Sequence, residues 1–303
     1  MTLSPSTGMT LPELAADHPV KHVVATILRK RRGPAPVRAT THAHWDARFF
    51  GLDRVTLFAT APSEVQAAIL ERCGRDLLGE AFYIEKAGVA FAAKMILLAE
   101  TVDERKLYAL FAADEATHLD GIACFYHPFR DEPAANPFLA LLSELIETGC
   151  RQSLQAVIQV ILEGWGLAHY RELRDGCSSA PLKAVLGAIL ADEAAHHGSG
   201  VVLVAERALA DASATRIFET MRRFLALVQA GPLTLYAAVA TARGPLAAAE
   251  RRRLWTELDP QRSSAARLGQ LEQLLSKTDS LAAVAARLAA AGCFEPRCLP
   301  EPA

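Results

Sequence analysis

Apolar residues recur at three- and four-residue spacing through most of the chain, while two-residue alternation over β-branched residues is scarce. That rhythm predicts amphipathic helices and almost no strands, an all-α protein. The segment 1–60 holds short helical pieces between loops rich in Pro, Thr and His. "APSEVQAAIL" then opens a helix, with Ser63 and Gln66 spaced as a capping box. A long helix follows over about 74–100, and Thr101 with Glu104 marks a second capping box for a helix over about 103–125. "DEPAANPF" breaks the pattern, with Asn136 placed as N-cap and Pro137 at the first helical position. The next helical run, bent near Gly149, lasts to about 175; "GCSSAP" turns the chain, and Pro181 starts a fourth long helix reaching about 210. These are two long hairpins whose apolar faces need one another, which predicts a four-helix bundle. Further helices follow over about 214–230, 232–241, 246–257 and 262–291. The expected organisation is an N-terminal extension (1–60), a bundle (61–210) and a C-terminal helical extension (211–303) serving as bundle support, dimer contact or cavity lid.

The hairpins repeat. With Glu85 aligned on Glu163, "EKAGVAF" meets "EGWGLAH", and further along "ADEATH" meets "ADEAAH" in the same register. Glu115 therefore follows Glu85 at the same interval at which Glu193 follows Glu163. At ~1.5 Å per residue, such equal legs bring each lone Glu level with the Glu-x-x-His of its antiparallel partner. Residues three apart on one helix are neighbours, so Glu115 with His118, and Glu193 with His196, share a face. A single Glu-x-x-His is a weak signal. Two copies, each with Asp four residues before the His and a lone Glu one hairpin leg earlier at a matched distance, make a strong one.

Each motif lies among Leu, Ala, Phe and Ile that belong to a bundle interior. Four carboxylates and two imidazoles buried there repel one another unless something compensates them. Two divalent cations balance four glutamates, and mixed imidazole and carboxylate donors suit Fe, Mn or, less often, Zn.

Charge and cysteines alter this picture little. The 303-residue chain has a formal net charge of −2, so nothing draws it globally to nucleic acid or an anionic surface. The basic cluster Arg29-Lys30-Arg31-Arg32 reads as a solvated loop. No start resembles a signal peptide and no apolar run approaches the ~18 residues of a membrane span, so the expected location is the cytoplasm. Six cysteines are scattered without a C-x-x-C pair and read as reduced, mostly buried thiols; Cys293 and Cys298 form a weak C-x₄-C signal.

The constellation of Glu85, Glu115/His118, Glu163 and Glu193/His196 resembles that of the ferritin-like di-iron carboxylate superfamily over about residues 75–205. The doublets Asp114-Glu115 and Asp192-Glu193 are similar to those of its oxygen-activating members. The resemblance implies two Fe ions, with Mn/Fe as the variant pair, and O₂ as co-substrate. It further implies a small organic or lipid-like substrate and an external reductase or ferredoxin, since no internal electron carrier is visible. The reaction expected is hydroxylation, desaturation or N-oxygenation; the alternative is a ferroxidase or peroxide-handling role without organic substrate. Asp114 and Asp192 are expected to accept the outer N–H of the ligand imidazoles. Gly88 and Gly166, each three residues after a lone Glu, are expected to leave room for oxygen or substrate. Gln159, Tyr170, Phe111 and Ile189 are expected around that cavity, with Trp165 and His169 packed elsewhere and His197 beside the site. Several subfamily marks are missing: Ile122, Leu167 and Ile189 stand where a radical Tyr, a Thr and an additional His occur in named branches.

Overall fold

A computed structural model describes residues 11, 14–15, 17–32, 43–126 and 136–297. Among the described residues every regular element is helical. Helix α1 spans Pro19–Arg32, and a short helix, α2, spans Thr56–Ala59. The basic cluster closes α1 rather than forming a loop, and Arg31 reaches Asp114 at 2.8 Å.

Helix α3, Ser63–Leu98, is a single rod of 36 residues, about 54 Å long at ~1.5 Å per residue. Its N-cap is Pro62, with no side-chain bond, so the expected Ser63 capping box is not formed; the Gln66 amide instead donates to the carbonyls of Ala59 and Ala61. Helix α4, Val102–Ala123, does start on Thr101, whose hydroxyl accepts from the Glu104 N–H. The Glu104 carboxylate accepts from Glu100 N–H, one residue before the cap, and pairs with Arg151. Helix α5, Pro137–Thr148, is capped by Asn136, which accepts from Phe138 and Leu139, with Pro137 at the first turn. Lys94 of α3 donates to the carbonyls of Ile146 and Glu147 at the other end.

The chain breaks at Gly149. It continues as α6 (Arg151–Leu154), a π-helical segment (Gln155–Leu162) and α7 (Glu163–Gly176), one uninterrupted rod. Helix α8, Ala180–Ala205, returns along it and stops short of the expected end. Then come α9 (Asp211–Gln229), α10 (Leu233–Arg243), α11 (Ala248–Glu257), α12 (Pro260–Lys277) and α13 (Ala282–Ala290). The last long helix foreseen is thus two, parted by Thr278 and a 3₁₀ turn.

Helix α3 packs along α4, and α7 with the π segment packs along α8; the two hairpins meet through α4 and α8. Helix α5 lies across α3 and α9, while α9 and α12 cover the π segment, α12 also meets α7, and α13 packs on α9 and α12. One continuous core runs from Trp45 through Phe91, Ile161 and Leu186 to Leu268, Leu271 and Leu288, so the C-terminal helices complete the core rather than hang from it. A smaller core joins the start of α3 (Ile69, Cys73) to α10 and α11 (Val239, Trp255).

Contrary to the sequence expectation, one stretch, Asp211–Arg243, is apolar enough by length and composition to cross a membrane. It is broken at Gly231 (φ 76°) and Pro232 into α9 and α10, and 44 % of its most apolar window is buried. Cys73, Cys177 and Cys293 are buried, Cys124 is half-buried and Cys150 is exposed, all unpaired. Cys298 falls outside the described residues.

Candidate metal centre

Four helices bring the six singled-out side chains to one level. Glu85 comes from α3, Glu115 and His118 from α4, Glu163 from the first turn of α7, and Glu193 and His196 from α8. All are buried except Glu163, which is partly open toward a cavity. Glu85, Glu115, His118 and Glu193 each offer a donor atom within 4.8 Å of the others, and Glu163, Glu193 and His196 do the same. Glu193 belongs to both groups. Glu115 also spans them, its Oε1 lying 3.3 Å from His196 Nδ1. His118 Nδ1 lies 3.1 Å from Glu85 Oε2 and 3.6 Å from Glu193 Oε1.

The aspartates act across the repeat. Asp192, from the second motif, accepts from Nε2 of His118 in the first, at 3.0 Å. Asp114, from the first motif, lies 3.6 Å from Nε2 of His196 in the second, and is held from outside by Arg31. A hydrogen bond on the outer nitrogen fixes which ring nitrogen faces the cluster. Phe111 packs on the His196 ring with centroids 3.8 Å apart.

Burial, then repulsion from neighbouring carboxylates, drives Glu115, Glu163 and Glu193 well above the usual carboxylate range. Burial opposes a charge on His118, but its bonds to Asp192 and Glu85 outweigh this and push it up to about 11. The His118 bond holds Asp192 below its ordinary value. Bound protons or a cation can each relieve that repulsion. Glu163 Oε2 and both ring nitrogens of His196 are buried without a hydrogen-bond partner. Orphaned donors of this kind, in a mixed carboxylate and imidazole set, fit a metal ion. Two ligands each on the order of 2.1 Å from one ion lie at most about 4.2 Å apart, so only a small contraction of the cluster is required.

Beside the cluster lies a cavity of about 100 Å³ that Glu85, Glu115, Glu163 and Glu193 all line. Its walls are the apolar side chains of α3, α5, the π segment and α7. Gly166 lines it and leaves open space, since an added Cβ would meet nothing within 4 Å. Gly88 also lines it for another reason: a Cβ there would run into Glu115 Oε2. Its glycine therefore admits the Glu115 carboxylate itself. Tyr170 lines the cavity and donates a short hydrogen bond to Glu85; burial and the Glu85 charge keep its phenol protonated.

Gln159, Phe111 and Ile189 lie off the cavity. Gln159 is fully buried with its amide committed: it donates to His196 C=O and Ser199 Oγ and accepts from Tyr108, which in turn accepts from Gln155. Ile189 is core. His197 packs on Gly164, where a Cβ would come within 2.7 Å of its ring. Trp165 and His169, expected elsewhere, line the cavity, as does Glu80. Trp165 and His169 lie off the helix face that Glu163 shares with Gly166 and Tyr170, so a face measured from Glu163 misses them. The signal available was a stripe: Glu80, Ile84 and Gly88 on α3, and Leu162 at the end of the π segment with Gly166 and His169 on α7, each at helical spacing.

Comparison of the chain with protein-family models, with curated proteins and with solved structures returns no match. What stands is an all-helical, bundle-like fold carrying a buried carboxylate–histidine cluster able to hold a metal ion.

Proposed function

We propose that the chain is a ferritin-like, O₂-dependent di-iron oxidase or monooxygenase acting on a small organic or lipid-like substrate. The observation that carries this reading is the apolar cavity ending on the carboxylate cluster; iron oxidation alone has no use for it. Glu85 and His118 would hold one ion, Glu163 and His196 the other, with Glu115 and Glu193 reaching both. Ferrous ions held there supply electrons for reducing O₂. Asp192 steers His118 so that Nδ1 faces the cluster, and Tyr170 does the same for Glu85 by donating to its Oε1. The apolar walls keep water from the reacting atoms. An external reductase or ferredoxin would re-reduce the centre.

Anaerobic loading with Fe²⁺, metal analysis and O₂-uptake measurement test this. About two metals per chain are expected, as for paired carboxylate bundles. Glu115→Ala and His196→Ala should each abolish O₂ uptake while far-ultraviolet circular dichroism stays unchanged. Absence of stoichiometric metal sinks the reading. Full turnover of Fe²⁺ with O₂ or peroxide, indifferent to any organic compound, assigns ferroxidase or peroxide handling instead.

A further inference from the structure

Glu80 and His169 take no part in the carboxylate cluster, yet both face its cavity. Both also feel the charge of Arg267, which acts through the wall and does not line the space. Glu80 has one long hydrogen bond, from Asn136 Nδ2 at 3.3 Å. The His169 ring nitrogens have no hydrogen-bond partner among the described residues; the ring stacks on Trp165, with centroids 6.4 Å apart and planes at 15°, and tilts against Tyr170. Burial raises the Glu80 carboxyl above its ordinary range. Burial, aided by Arg267, lowers His169 to about 4, so at neutral pH the imidazole is uncharged and offers one donor and one acceptor.

Polar groups left partly unbonded in an apolar cavity are costly unless a guest completes them. The lining includes no Lys or Arg, and Arg267 acts only through the wall, so a carboxylate or phosphate head beside Glu80 would find no cation in the cavity to pair with. A head that donates hydrogen bonds satisfies Glu80 and leaves the imidazole free to donate or accept. Glu80 precedes Glu85 by five residues, about 7.5 Å of helix rise, so a guest seated there extends its body toward the cluster.

We propose that Glu80 and His169 form a head-group subsite, holding the amine or hydroxyl of an otherwise apolar substrate so that its body lies against the carboxylate cluster. The subsite's part in turnover rests on the oxidase reading above; its binding preference does not.

Isothermal titration of the full chain, loaded anaerobically with Fe²⁺, with hexylamine, 1-hexanol and hexanoate tests it, with metal content measured on the same samples. Hexylamine or 1-hexanol should bind at least about tenfold more tightly than hexanoate, and the tighter of the two identifies the head. Glu80→Gln and His169→Phe should each weaken that probe about fivefold or more, with metal content and helicity as in the wild type. Hexanoate binding equally well, no probe binding, or both variants binding as the wild type overturns the subsite. Metal loss in Glu80→Gln overturns it too, because Glu80 then serves the cluster. If the wild type takes up no metal, the oxidase reading falls, while the order of the three probes still decides the subsite.

Discussion

Two glycines at matching places in the repeat do different work. Gly88 stands where any Cβ would collide with the Glu115 carboxylate, whereas Gly166 faces open space. Gly88→Ala should therefore displace Glu115 and weaken metal binding about tenfold or more, ~1.4 kcal/mol, with helix content retained; titration of the metal-free protein with Fe²⁺ measures it. Gly166→Ala should leave metal binding alone and stabilise the helix by up to about 1 kcal/mol, visible as a higher denaturation midpoint. The repeated glycine was legible in the sequence, but its purpose was not. A spacing of three residues from a Glu is identical in the two halves, and only the side chain crossing from the neighbouring helix separates them. The six cluster residues were legible because two features, a repeated motif and an equal interval from lone Glu to motif Glu, reinforced each other. Gln159 misled because its face was right at the level of the helix, while Tyr108, Ser199 and the His196 carbonyl claim its amide.

At the scale of elements, caps and breakers read well where chemistry is local: Asn136-Pro137, Thr101 and Gly149 act as their types suggest. The π segment did not announce itself, because eight apolar and Gln residues keep much the same hydrophobic face whether the backbone bonds skip four residues or five. It also breaks the symmetry of the repeat, since α3, which carries the matching Glu85, is α-helical throughout. Its two buried glutamines tie it through Tyr108 to α4 and directly to α8. Gln159→Leu should leave the Tyr108 hydroxyl without its acceptor and cost about 1–3 kcal/mol in urea denaturation. It should also loosen His196, lowering metal affinity without touching a ligand.

For the whole molecule, the cluster makes stability depend on pH in a direction opposite to acid denaturation. Glu115, Glu163 and Glu193 have folded-state values raised above the unfolded ones, so their protonated forms favour folding at low pH and that contribution is lost as pH rises through the raised values. His118, raised to about 11 from its ordinary 6.5, acts the same way: its contribution is full below 6.5 and fades toward 11. The metal-free protein should thus show a falling melting temperature from about pH 6 to about pH 9, and saturating Fe²⁺ under argon should flatten the slope by replacing the protons. A slope that is flat without metal would show that the carboxylates are not crowded together in solution.

The exchange of aspartates between the halves has a consequence for how the centre comes into being. The first half keeps its own carboxylates but borrows Asp192 from its sibling to aim His118, while its own Asp114 stands 3.6 Å from the outer nitrogen of the sibling's His196. Severed between the halves, the first fragment would own an unaimed ring, and tight capture of a cation would return only on remixing the two.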